Sequence, residues 1–124
     1  MSLLLIALGG AAGAAARSLV DTWISAWSSS SFPWGTLAVN ASGSLALGLI
    51  FALATERNVL PPDIRGPVMI GFVGAYTTFS TLMLESWRLV EDGSIGLAAA
   101  SLAGSVGLGL VAVVAGLSIG RALA

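Results

Sequence analysis

Long runs of apolar residues without any charge dominate this chain, and they predict its helices. Residues 34–55, 66–84 and 93–120 contain no charged side chain, and residues 3–27 contain only Arg17 and Asp21. A helix that crosses a lipid bilayer needs about 20 such residues. The pattern therefore predicts an all-α membrane protein with a single transmembrane domain, residues 1–124. Its four helices are expected at about 3–27, 34–55, 64–90 and 93–121.

The composition strengthens this interpretation and excludes other classes of protein. Charged residues make up 9% of the 124 residues, and the mean hydropathy is +0.97. A soluble domain is roughly a quarter charged. With a net charge of −1 there is no basic surface for nucleic acid, so no nucleic-acid partner is expected. The absence of Cys and His removes thiol chemistry, disulfides and the commonest metal ligand.

Two features of the first helix and the loops leave alternatives open. Residues 3–16 resemble a signal-peptide core, but no basic residue precedes them, so we favour a retained helix. Three arginines fall on the side that carries both termini and the middle loop, whereas Arg88 lies on the other side. This positive-inside bias is weak. Both a short protein with few charges and a chain that inserts in both orientations fit it.

Small residues recur at four-residue steps along three of the predicted helices. Gly9 and Gly13 continue to Arg17 in the first helix, and similar faces run through the second and fourth helices. Such faces allow helix backbones to approach closely in a membrane. Because four short helices enclose little interior by themselves, we expect the chain to form a homo-oligomer.

The third helix carries an unusual polar load for a segment in lipid. Residues 77–81 include four hydroxyls, preceded by Gly71 and Gly74 and followed by Glu85. Polar groups are tolerated at this depth when protein satisfies them or when they line an aqueous path. Glycines and β-branched residues are poor helix formers. The pattern predicts a helix broken near its middle, and the alternative is a kink at a glycine with the hydroxyls bonded back to the preceding turn.

Individual polar and aromatic residues have both structural and functional interpretations. Thr36 and Asn40 share a face of the second helix, where an amide commonly forms an interhelical hydrogen bond. Phe79 is by default a packing or lipid-facing residue. Arg17 and Glu85 are functional candidates because charges within a membrane are costly. Each also has a possible partner on its own helix, Asp21 for Arg17 and Arg88 for Glu85.

Three motifs of this chain closely resemble one known family. They are residues 9–17 (GGAAGAAAR), residues 32–43 (FPWGTLAVNASG) and residues 71–81 (GFVGAYTTFST), the last followed by Glu85. The motifs occur in the order, and in a chain of the size, typical of the CrcB/Fluc fluoride channels. The resemblance implies an antiparallel, dual-topology homodimer with two pores in the cell membrane of a bacterium, through which fluoride leaves passively.

The resemblance also implies roles for individual residues. A structural sodium ion at the dimer centre would be held by the backbone carbonyls of Gly74 and Thr77. Arg17 is expected to have a structural role. The residues implied to line the pore and bind the anion are Asn40, Phe79, Ser80 and Thr81, with Thr36 and Glu85 as further polar participants and Ser101 and Ser105 on the last helix.

The chain departs from the family pattern at one position near Phe79. The family commonly has a second phenylalanine three residues later, where this chain has Leu82. An aromatic ring presents a positive edge to an anion, and an aliphatic side chain does not. The anion selectivity or rate is therefore expected to differ from that of a two-ring pore.

Two other classes of protein compete with the channel. One is a small, dual-topology, proton-coupled multidrug exporter, which would use a membrane glutamate such as Glu85. The other is a structural subunit of a membrane complex, which would need neither Asn40 nor the hydroxyl cluster. The donor-rich third helix favours an anion over a cationic drug.

Overall fold

The computed structural model describes residues 2–123, and within that range the chain is helical with short connections and contains no strand. The α-helices are α1 (Leu3–Trp27), α2 (Trp34–Phe51), α3 (Pro62–Arg65), α4 (Gly74–Tyr76), α5 (Phe79–Glu91) and α6 (Ile95–Leu123). Two segments are π-helical, Ala52–Glu56 after α2 and Gly66–Val73 between α3 and α4.

These elements form four segments long and apolar enough to cross a membrane, which confirms the prediction of four spanning helices. The spans are Leu3–Trp27, Trp34–Glu56, Pro62–Glu91 and Ile95–Leu123. We refer to them as the first to the fourth span. Large apolar side chains such as Leu110 and Val111 are 62% and 66% exposed on the surface of the protomer. Such a surface suits lipid or a second membrane chain rather than water.

The first span packs against the π-helical part of the third span through glycines. A Cβ atom on Gly13 would collide with the backbone carbonyl of Phe72, and one on Gly71 would collide with that of Ile6. Gly9 is equally close to the third span. The face of small residues on the first helix is therefore confirmed as a site of close helix packing.

The second and fourth spans pack in the same way. A Cβ atom on Gly48 would collide with the carbonyl of Val113, and one on Gly116 would collide with the carbonyl of Leu45. The two backbones touch at each of these glycines. At one end of this pair of spans, Arg121 donates to both carboxylate oxygens of Glu56, at 2.8 and 3.0 Å.

Candidate functional site

The third span has extended backbone at two consecutive residues. α4 ends at Tyr76 and α5 begins at Phe79. Between them, Thr77 has φ −83° and ψ 158°, and Thr78 has φ −149° and ψ 116°. These angles belong to the β region, so the helical hydrogen-bond pattern stops here. Residues 77 and 78 lie within the segment where the sequence predicts an irregular helix.

Local side chains stabilise both edges of this extended segment. The Thr77 hydroxyl donates to the carbonyl of Val73 at 3.1 Å, one turn earlier. Thr78 is the N-cap of α5, and its hydroxyl accepts a hydrogen bond from the Thr81 amide at 3.3 Å. Threonine favours this position because its hydroxyl satisfies an amide that has no partner within the helix.

The side chain of Asn40, on α2, forms hydrogen bonds with both the amide and the carbonyl of Thr78. The Asn40 amide nitrogen donates to the Thr78 carbonyl at 3.0 Å, and the Thr78 amide donates to the Asn40 Oδ1 at 2.7 Å. In a continuous α-helix the Thr78 amide would instead bond to the carbonyl of Gly74. The side chain of Asn40 therefore takes the place of a helical hydrogen bond and holds the extended residue.

An open cleft of about 350 Å³ lies beside this segment. It brings together Asn40, Gly74, Thr77 and Phe79 from the sequence-predicted site, together with Leu82 and Ser105. Phe79 is 73% exposed on the protomer, whereas Leu82 is buried. The Phe79 ring is therefore available to a neighbouring chain, and the side chain at position 82 forms an inner wall of the cleft.

Three other predicted residues line a separate small cavity. Arg17, Thr36 and Thr81 line a small cavity of about 10 Å³, together with Asp21, Val39 and Thr78. Such a volume is roughly that of one water molecule. Thr78 lines both the open cleft and this small cavity. Several of the predicted site residues are thus divided between two cavities that share Thr78.

Glu85 joins the residues of this small cavity through Thr36. The buried Thr36 hydroxyl donates to the Glu85 carboxylate at 2.5 Å. Glu85 also lines a further open cleft of about 280 Å³ with Arg88 and Asp92. Between residues 2 and 123 neither Glu85 and Arg88 nor Arg17 and Asp21 approach within ion-pair distance. The same-helix pairing considered for these charges is therefore wrong in this protomer.

The remaining predicted residues are the serines Ser80, Ser101 and Ser105. Ser80 is exposed on the protomer and lines none of the cavities described here. The hydroxyls of Ser101 and Ser105 are buried, and neither finds a hydrogen-bond partner among residues 2–123. Only Ser105 faces the open cleft. These hydroxyls keep their capacity to donate to a ligand or to another chain.

Two residues of the candidate site, Thr78 and Asp21, were not predicted as site residues from the sequence. Thr78 was one hydroxyl among four, yet its backbone is the point that Asn40 holds. A threonine directly before an apolar residue that opens a helix, here Phe79, is an N-cap signal that could have located it. Asp21 approaches the backbone of Gly35, and its carboxylate leaves no room for a side chain there. No sequence pattern predicts that tertiary contact.

Comparison with known proteins places the whole chain in one family. The family model for CrcB-like protein, Camphor Resistance (CrcB), matches residues 4–117. The chain is 44% identical over 121 residues to a protein of Magnetococcus marinus named fluoride-specific ion channel FluC, covering 98% of both chains. It is 44% identical over 119 residues to a protein of that name in Hahella chejuensis, covering 96% of this chain and 94% of the relative. It is 46% identical over 121 residues to a protein of Symbiobacterium thermophilum named fluoride-specific ion channel FluC 1, covering 97% of this chain and 98% of the relative.

Proposed function

The chain belongs to the CrcB-like family, and from this premise we propose that it is a fluoride-selective channel through which fluoride leaves the cell passively. It is a multi-pass membrane protein from a family of ion channels rather than of enzymes. The observation that carries the proposal is the contact between Asn40 and Thr78, because it holds extended backbone beside an open cleft whose mainly apolar lining includes the polar side chains of Asn40 and Ser105. Irregular backbone at membrane depth is tolerated where it is enclosed by protein or lines a water-filled path.

The chemistry of fluoride explains why such a cleft suits it. Fluoride is small and strongly hydrated, so a narrow pore has to replace its water with hydrogen-bond donors. In the cleft, the donors include the second amide proton of Asn40 and the hydroxyl of Ser105. Thr81 adds a hydroxyl in the adjoining small cavity, and Ser80 adds one on the exposed surface of the protomer. Thr36 and Glu85 extend the polar path towards the cleft beside Arg88. The positive edge of the Phe79 ring supplies a further favourable contact for an anion.

A second copy of the chain would complete this path, and we propose an antiparallel homodimer in the inner membrane of a bacterium. The cleft is open, and Phe79 on its rim is 73% exposed, which supports closure by another protomer. The weak bias of the arginines supports insertion in both orientations. In such a dimer the interrupted third spans of the two protomers would meet near the membrane centre.

The carbonyls of Gly74 and Thr77 fit the structural sodium ion that the family implies. Both residues line the open cleft, and the Thr78 amide that would otherwise pair with the Gly74 carbonyl bonds to Asn40 instead. Unwound backbone carbonyls are the ligands that sodium finds in other membrane proteins. Two carbonyls make half of a site, so the partner protomer would supply the other half. When bound, the ion supplies positive charge beside an anion path.

Arg17, with its buried Nε, supports the neighbouring polar cavity.

Fluoride efflux from liposomes tests the function. Purified protein is reconstituted into liposomes loaded with potassium fluoride, and a potassium ionophore clamps the voltage. We expect rapid release of fluoride, far slower release of chloride and no requirement for a proton gradient. Flux that depends on a proton gradient would favour the exporter, which the named relatives do not support. The absence of flux would favour a structural subunit.

Labelling of single cysteines tests the dual topology. The chain has no native Cys, so Ser30→Cys in the first connection and Asn58→Cys in the middle loop are the only thiols in their variants. An impermeant maleimide applied outside intact vesicles should label part of each population, and permeabilisation should reveal the rest. Labelling of one variant only from outside and of the other only from inside would exclude dual topology.

A further inference from the structure

Tyr76 and Ser42 form a hydrogen bond next to the extended segment. The Tyr76 hydroxyl lies 2.9 Å from the Ser42 Oγ, and the Ser42 hydroxyl donates to the carbonyl of Val39 at 3.2 Å. A serine hydroxyl has one proton. When Ser42 directs that proton to the Val39 carbonyl, the Tyr76 hydroxyl donates to Ser42, and this is the arrangement that we test.

The Tyr76 ring is held between the third span and α2. It stacks on the Phe72 ring with 6.1 Å between centroids and 8° between planes. Its other contact is with Gly43, where an added Cβ would lie 3.1 Å from the ring and would collide with the Thr77 side chain. The ring and the hydroxyl therefore fix Tyr76 to α2 together.

Tyr76 and Thr78 are the two neighbours of Thr77, and α2 holds both of them. Asn40 binds the backbone of Thr78, and Ser42 binds the side chain of Tyr76. The Thr77 carbonyl shares a planar peptide unit with the Thr78 amide, so Asn40 fixes that unit. Asn40 bonds to Thr78 rather than to α4, which ends at Tyr76, and the contact between Tyr76 and Ser42 is what ties this helix end to α2. We propose that Tyr76 and Ser42 are positioning residues that fix the end of α4 against α2, and with it the place of Thr77 beside the cleft. The effect on ion flux rests on the proposed channel function, whereas the effect on the backbone does not.

The hydrogen bond itself can be measured because Tyr76 is the only tyrosine in the chain. The intensity ratio of the tyrosine doublet in the ultraviolet resonance Raman spectrum reports whether the phenol donates a hydrogen bond. We expect a donor signature in the wild-type protein and its loss in Ser42→Ala. Ser118→Ala is the matched control, because that hydroxyl bonds within α6 to Val114. Identical spectra for wild type and Ser42→Ala would overturn the hydrogen bond.

Amide hydrogen exchange tests the effect on the backbone without reference to flux. Tyr76→Phe keeps the ring stack and removes the hydroxyl, and Ser42→Ala removes the acceptor. Each change should accelerate exchange of the Thr77 and Thr78 amides roughly three- to ten-fold, the range expected for one net hydrogen bond. Ser118→Ala should leave these amides unchanged. Wild-type exchange at both amides in both variants would overturn the positioning role.

Flux per folded dimer then tests the consequence for permeation. Each single variant should lose roughly three- to ten-fold in fluoride flux, and the double variant should lose no more than either single one, because both remove the same contact. Full wild-type flux in both singles, or losses that multiply in the double variant, would contradict the inference. Absence of flux in the wild-type protein would instead overturn the proposed function, and hydrogen exchange would still decide the positioning role.

Discussion

Helix α2 makes two contacts of opposite kind. Towards α6 it presents Gly48, and the backbones of the two helices touch near Gly48 and Gly116. Towards the third span it presents Asn40, whose amide forms two hydrogen bonds with the backbone of Thr78. The first contact consists of packed backbone and apolar atoms, and the second is a polar contact to extended residues.

The difference shows how one helix, α2, can pack tightly on a regular helix and also hold extended backbone of another span. Lipid gives no hydrophobic driving force for helix association, so the α2–α6 contact depends on the close approach that glycines permit. Extended backbone at this depth exposes an amide and a carbonyl, and each would be costly to leave unpaired in lipid. Asn40 satisfies both groups of Thr78. The α2–α6 contact therefore keeps α2 in place, and α2 in turn holds the extended backbone of Thr78 through Asn40.

The largest loss of flux is expected when the polar contact is removed. Asn40→Ala leaves the amide and the carbonyl of Thr78 without their partner, at about 1–3 kcal/mol for each group. We expect fluoride flux per folded dimer to fall roughly 100-fold, since 1.4 kcal/mol corresponds to a factor of ten. Asn58→Gly is the control, because it removes a loop asparagine and keeps the positive φ of 54° available. Wild-type flux in Asn40→Ala would show that the polar contact is not required for permeation.

A smaller loss of flux is expected at the aromatic wall of the cleft. Phe79→Ile keeps the apolar character but removes the positive ring edge, and flux should fall about ten-fold with the dimer still folded. Leu82→Ala should have a milder effect, because no ring is lost. Leu82→Phe should preserve or raise flux if the cleft of about 350 Å³ accepts the ring. Normal flux in Phe79→Ile would show that the ring edge does not contribute to flux and that Phe79 serves only in packing.

The glycine contact should affect stability rather than permeation. A Cβ added by Gly116→Ala would collide with the Leu45 carbonyl of α2, so the helices must separate at a cost of about 1–3 kcal/mol. Thermal unfolding in detergent measures this loss, and flux per folded dimer should stay near that of wild type. Gly96→Ala is the control, because a Cβ there meets nothing within 4 Å. Equal melting temperatures for the two variants would exclude close packing at Gly116.

The smallest effect is expected at the ion pair between the ends of the second and fourth spans. The Glu56 and Arg121 side chains are 34% and 51% exposed, and exposed ion pairs contribute little to stability. Glu56→Gln should leave fluoride flux within about two-fold of wild type. A strong dependence of flux on this carboxylate, measured in the same liposome assay, would show that the span ends also control the path.

The spans and the small-residue faces could be predicted from sequence because both depend on local composition. Charge-free runs give the four spans, and four-residue spacing gives the glycine face at Gly9 and Gly13. The division of the polar residues between two cavities that share Thr78 could not be predicted, because it depends on how α2 meets the third span. The π-helical segment Gly66–Val73 also lacks a local signal beyond Pro67, which has no amide to donate.

We propose that fluoride flux depends on the bond between Asn40 and the Thr78 backbone, and replacing one backbone atom tests this dependence. An α-hydroxy acid at position 78 converts the amide link between Thr77 and Thr78 into an ester, which removes the N–H that donates to Asn40 and also makes the Thr77 carbonyl a weaker acceptor. A control ester at Ala98 removes an ordinary helical bond to Ser94 in the fourth span. We expect the ester at position 78 to lower fluoride flux per folded dimer about ten-fold and the control to leave it near wild type. Equal flux from the two esters would contradict the claim.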